Sequence, residues 1–141
     1  MKKDSTAYGA IRPAYDKSDC SVRALAVATS CTYQQASAVF SAAGRQLKRG
    51  TPQDISQKVY AEWLGMRLIP EVAGWPLIGF VMAYPKGRFI AHRKGHAFAI
   101  VDGVLHDWEA GSTKPGSRLK KVWEVTETAR LKMDRLKELF S

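Results

Sequence analysis

Apolar residues recur at two different spacings along this chain, and the change of spacing divides it. From Cys20, the run Val22-Arg23-Ala24-Leu25-Ala26-Val27-Ala28 is apolar on several sides, which predicts a helix buried in the centre of a domain. Thr32 reads as an N-cap for a second helix, Tyr33-Gln34-Gln35-Ala36-Ser37-Ala38-Val39-Phe40, with Gly44 as its stop. In Thr51-Pro52-Gln53-Asp54 the threonine is placed to cap, the proline to open the first turn and the aspartate to face the positive helix end. The helix that follows carries Ile55, Val59, Tyr60, Trp63 and Leu64 at helical spacing and stops at Gly65.

Beyond Gly65 the period shortens. Met66 to Pro70 predicts a short strand, and Pro76 to Tyr84 a short buried helix. Arg88 to His92, His96 to Val101 and Val104 to Trp108 predict three antiparallel strands, joined by turns at Lys94-Gly95 and Asp102-Gly103. Leu119 to Val125 gives a further strand after a loop over 111–117, and Thr126 caps a last amphipathic helix over 126–141. Residues 1–15 are polar, with Gly9 and Pro13 and no periodicity, so a loosely ordered lead-in is expected. Helices first and a meander of strands afterwards predict an α+β fold, in one domain over 1–141.

Composition narrows the setting. At 141 residues, 45% apolar and 25% charged, the chain is long enough to bury a core without staples. The longest apolar run, Trp75 to Tyr84, is too short to span a bilayer, and no apolar stretch follows Met1-Lys2-Lys3-Asp4 as a secretory signal would require. Two cysteines make no disulfide framework, so a reduced, cytoplasmic setting is expected. The net charge is +9, and its surplus is spread over both halves. Two clusters stand out, Lys86, Arg88, Arg93 and Lys94, then Lys114, Arg118, Lys120 and Lys121. They make an acidic protein or nucleic acid a conceivable partner, although a solvated basic face is the commoner meaning of such clusters.

Chemistry enters at Cys20. The polar lead-in Tyr15-Asp16-Lys17-Ser18-Asp19 gives way there to helix formers, which sets the sulfur at a helix N-terminus, where free N–H groups and the helix dipole favour negative charge. A strand-borne histidine, His96, supplies a base. If Asp102-Gly103 is a two-residue turn, Val101 opposes Val104, His96 faces Glu109, and Asp107 is its diagonal neighbour on the same face. His106 and Trp108 then point to the other face with Ala97 and Ala99, whereas a three-residue loop would bring His106 round instead. A carboxylate beside His96 can hold one ring N–H and leave the other nitrogen to take a proton from a thiol. Asp107 is preferred, with Glu109 as the alternative third member. Cys31 reads as a core residue. Among Cys20, Cys31, His96 and His106 no pair has zinc-ligand spacing such as Cys-x-x-Cys, and alternation sends His96 and His106 to opposite faces, so no metal or cofactor is expected.

With those residues in place, Asp19-Cys20-Ser21-Val22-Arg23-Ala24-Leu25-Ala26, Gly95-His96-Ala97-Phe98-Ala99-Ile100-Val101-Asp102-Gly103 and Asp107 together resemble the papain-like cysteine peptidase superfamily. Within it, the pattern is most similar to small cysteine-peptidase-like proteins of tailed bacteriophages. The resemblance, over about residues 15–110, implies helices packed on a C-terminal antiparallel sheet with the nucleophile opening the central helix. It implies Cys20 as nucleophile, His96 as general base and Asp107 as orienting acid, acting on a peptide or amide bond, isopeptide bonds included, of a peptide or protein substrate in the host cytoplasm. The chain departs from that family at Ala14, where a glutamine usually helps bind the oxyanion. The Cys20 backbone N–H supplies one donor, and Tyr15, Ser18 or the Asp19 region is the expected source of a second. The rival expectation is a non-catalytic, basic binding protein on the same fold, engaging an acidic host protein or nucleic acid.

Overall fold

The computed structural model describes residues 3–4, 19–46, 49–107 and 113–140, with the side chains of 3, 4 and 140 left aside. The helices come largely where the periodicity sets them. Helix α1 (Cys20–Thr29) ends at Ser30 in the left-handed conformation. Helix α2 (Tyr33–Ala42) opens on a capping box: the Thr32 hydroxyl accepts from the Gln35 N–H at 3.1 Å, and the Gln35 side chain accepts from the Thr32 N–H at 3.0 Å. Helix α3 (Gln53–Gln57) starts one residue later than expected. Pro52 rather than Thr51 occupies the cap position, and the Thr51 hydroxyl is buried with no hydrogen-bond partner among the described residues. The chain then winds on as a π-helical stretch (Lys58–Trp63), which nothing in the apolar spacing announced, and turns at Gly65 with φ +62°. The wider winding still buries Val59 and Tyr60.

The strands assemble in an order that is not the chain order. Strands β1 (Lys3–Asp4), β2 (Arg67–Leu68), β3 (Arg88–Arg93), β4 (His96–Val101), β5 (Val104–His106) and β6 (Lys121–Glu124) form one sheet, ordered β1-β5-β4-β3-β6-β2. Strand β1 joins β5 in parallel, and every other pairing is antiparallel. Lys3–Asp4 was assigned to a loosely ordered lead-in; its two residues instead extend the sheet edge, and the rest of 1–15 lies outside the described residues. Strand β6 is shorter than the expected Leu119–Val125. At the Asp102-Gly103 turn both residues have positive φ, +49° and +77°, which is the two-residue hairpin turn, and Val101 pairs with Val104.

Each face of the sheet has its own core. Ile90, Ala99 and Trp123 pack with α1, α2 and the π-helical stretch, and with Ala129 and Met133 of helix α5 (Glu127–Phe140). Phe89, Phe98, Ile100 and Val122 pack on the other side with Leu77 and Phe80 of helix α4 (Leu77–Ala83). Thr126 caps α5 as expected, accepting from the Ala129 N–H at 3.1 Å. The architecture is α+β. Arg88, at the outer end of β3, donates to the Val27 and Ala28 carbonyls at 3.3 and 3.4 Å, satisfying the exposed carbonyls at the end of α1.

Candidate active site

Helix α1 lies over the β3–β4 ribbon with its first residue at the end where the Lys94-Gly95 turn closes the ribbon. Asp19, 2% exposed, fixes that helix start: its carboxylate accepts from the Tyr33 hydroxyl at 2.9 Å and lies 3.5 Å from Arg23 Nε. The Cys20 thiol is half-buried and free. Cys31, the other free thiol, is core: 4% exposed, 3.3 Å from the Thr29 hydroxyl, with burial pushing its pKa up.

His96 opens β4. Ala99 opposes His106 and Ile100 opposes Leu105, so strand alternation sets Asp107 on the face of Phe98 and His96 and turns His106 to the face of Ala97 and Ala99. The geometry follows from that register: His96 Nε2 lies 2.8 Å from Asp107 Oδ1, with the two side chains 3% and 0% exposed. The Cys20 thiol lies close enough to the imidazole to raise its pKa, and Asp107 occupies Nε2. Burial works against charge on His96, yet the hydrogen bonds from Asp107 and Cys20, with the carboxylate's charge, outweigh it and raise the pKa to about 9. The imidazolium is therefore the prevailing form at neutral pH.

Cys20 and His96 share the wall of one cleft, of about 430 Å³, open at the end of the sheet. A sheet's end is the one place where residues from both faces can meet. His92 and Trp123 come to the cleft from the α1 face, Arg93 and His96 from the other. Opposite them stand Thr51, Gln53, Ser56 and Gln57. His92 is mostly buried beside Tyr60, ring centroids 5.7 Å apart, and its Nε2 has no hydrogen-bond partner among the described residues. Burial, then Lys121, then His96 lower its pKa to about 4, so it stays neutral where His96 is charged. The Tyr60 phenol is pushed up by burial and by the neighbouring Cys20.

Of the residues named from sequence, Cys20, His96 and Asp107 come together. Tyr15, Ser18 and Glu109, and Ala14 where the amide donor was missed, lie outside the described residues. The Asp19 carboxylate is engaged as an acceptor by Tyr33. Gln35 is held in its capping box. The sequence assigned no role to Gln53 and Gln57, yet both line the cleft. Two glutamines one helical turn apart beside a helix-start proline were the available signal. Among the described residues no cluster of His, Cys, Asp and Glu could hold a metal ion, and no helix is long and apolar enough to cross a membrane. Compared with protein-family models, curated proteins and solved structures, the chain finds no match.

Proposed function

We propose that the protein is a papain-like cysteine hydrolase that opens a peptide or amide bond through a thioester. One observation carries this reading: a free thiol at a helix start, an imidazole and a buried carboxylate are linked in that order at the wall of an open cleft. In the reactive pair the proton of Cys20 already resides on His96, and the sulfur attacks the carbonyl carbon, forming a C–S bond and an oxyanion. Collapse of that intermediate breaks the C–N bond, and His96 gives the proton to the leaving amine. Water then attacks the thioester, giving its proton to the neutral His96, and the C–S bond breaks with the electron pair returning to sulfur, which restores the pair. Asp107 holds the ring in the orientation that serves every transfer.

The oxyanion needs donors. The Cys20 N–H, at the first position of α1, has no partner within the helix, and Gln53 and Gln57, which line the same cleft, carry amides that can serve as further donors. They take the part that the sequence left open at Ala14.

The test is site-mapped alkylation by iodoacetamide at neutral pH, read by mass spectrometry. Wild type should label at Cys20, with Cys31 protected by burial, and Cys20→Ala should not label. His96→Gln should slow labelling and any peptide hydrolysis by about 10²–10⁴-fold. Equal labelling of wild type and His96→Gln would sink the nucleophile reading and leave a basic binding protein on this fold.

A further inference from the structure

The charge of the cleft wall is one-sided. Arg93, Lys120 and Lys121 line it together with Cys20 and His96, and no carboxylate does among the described residues. The cations arrive from separate parts of the sequence: β6 lies against β3, which pairs Lys121 with His92 and brings the Lys120 N–H to the His92 carbonyl at 2.7 Å. Arg93 is fixed by the Thr113 hydroxyl at 2.9 Å and the Lys94 carbonyl at 3.4 Å, neither of them an anion. Neither Lys120 nor Lys121 is paired with a carboxylate among the described residues. Asp107, the nearby acid, is committed to His96 and is 0% exposed. Elsewhere the chain does neutralise a strand cation: Arg67 Nε meets Glu124 Oε1 at 2.8 Å. Three cations without counter-ions among the described residues around a cleft create a positive potential that a neutral or basic peptide cannot satisfy and a carboxylate can.

We infer that the cleft takes a substrate carrying a carboxylate beside the bond to be cut, and that Lys120, Lys121 and Arg93 are the residues that select it. The inference rests on the hydrolase reading for the word substrate, but the binding it requires is independent of the sulfur. The carboxylate can belong to an acidic side chain or to a free chain terminus, and both present the same pair of oxygens.

The measurement uses the full chain carrying Cys20→Ala and three N-acetylated alanine-rich heptapeptides, with binding read by isothermal titration calorimetry. One has a central Glu and an amidated C-terminus, one a central Gln and a free C-terminal carboxylate, and one a central Gln and an amidated C-terminus. At low salt one or both carboxylate peptides should bind about five- to tenfold more tightly than the neutral peptide, with the preference shrinking as salt rises. Whichever of the two binds more tightly identifies the source of the carboxylate. Lys120→Glu/Lys121→Glu should abolish or reverse the preference, and the preferred peptide should slow iodoacetamide labelling of Cys20 in the wild-type chain. Equal affinity for the three peptides overturns the inference, whatever Cys20 does with iodoacetamide. So does a single-stranded oligonucleotide that binds through the same lysines while the peptides show no preference, because the basic wall would then serve a nucleic acid. Iodoacetamide labelling without any peptide decides the nucleophile separately.

Discussion

His92 and His96 stand on either side of one tight turn and line one cleft, yet their surroundings drive them in opposite directions. Both lose solvent, which alone disfavours the charged ring. His96 gains the Asp107 carboxylate at 2.8 Å and the Cys20 thiol, and its pKa rises to about 9. His92 has Tyr60 against its ring and Lys121 as its nearest charge, and its pKa falls to about 4. The difference comes from strand parity. His92 points to the α1 face and His96 to the other, where the hairpin's return strand delivers an acid. Burial does not decide which histidine carries charge; the partner does.

Removing Asp107 breaks this contrast with the largest effect. Asp107→Ala leaves a buried imidazolium without its counter-charge, and chemical unfolding at pH 6 should show a loss of about 3–5 kcal/mol. Asp107→Asn should lower the His96 pKa, visible as an NMR titration midpoint at lower pH. Under the proposed hydrolysis, an alkaline limb is expected near pH 9, where His96 gives up its proton, and it should shift to lower pH in the variant. An Asn variant with an unmoved limb would refute the pairing as the cause.

The second effect is on stability against pH, and the two histidines act with opposite sign. His96, raised from its ordinary value of 6.5, stabilises the fold fully below pH 6.5, and the benefit is lost as pH climbs through 9. His92, lowered from 6.5, leaves stability intact above pH 6.5 and removes it as pH falls through 4. Their joint contribution should therefore peak near pH 6.5. Thermal melts across pH 4 to 9 check this, and a monotonic trend in the wild type that persists in single variants at both positions would contradict it.

The smallest change sharpens the comparison from the other side. His92→Phe keeps a ring against Tyr60 and removes only the titrating atoms. It should cost less than about 1.5 kcal/mol at neutral pH, flatten the acid side of the stability curve, and leave the alkaline side alone. A flattened alkaline side would mean that His92 takes part in the His96 pair.

Local pattern disclosed the pieces of the site but not its walls. Helix α1 begins at Cys20 because a polar lead-in meets a run of apolar helix formers, and Asp102-Gly103 sets the parity that separates Asp107 from His106. Both are near-neighbour effects, and both are readable in sequence. The cleft's other wall depends on β6 lying against β3 and on α3 facing the sheet end, long-range placements that no local spacing encodes. That is why Gln53, Gln57, Lys120 and Lys121 escaped notice as site residues. The two basic clusters divide in the same way: Arg88 caps α1, Arg118 holds the Gly74 carbonyl at 3.2 Å, and only Arg93, Lys120 and Lys121 reach the cleft. The π-helical stretch was hidden too, because its apolar residues keep a spacing compatible with ordinary helix.

The Arg88 contact gives α1 the character of a ruler. One end of the helix is tied to the first residue of β3, and the other end presents its sulfur to the first residue of β4, at the opposite end of the same ribbon. Ten helical residues run about 15 Å and six strand residues about 20 Å, with the arginine's length bridging the difference. Helix length thus gauges where the sulfur falls along the ribbon. An alanine inserted in the middle of α1 would carry Cys20 about 1.5 Å along the axis and turn it by about 100°, out of reach of His96, while leaving every residue of the site in the sequence.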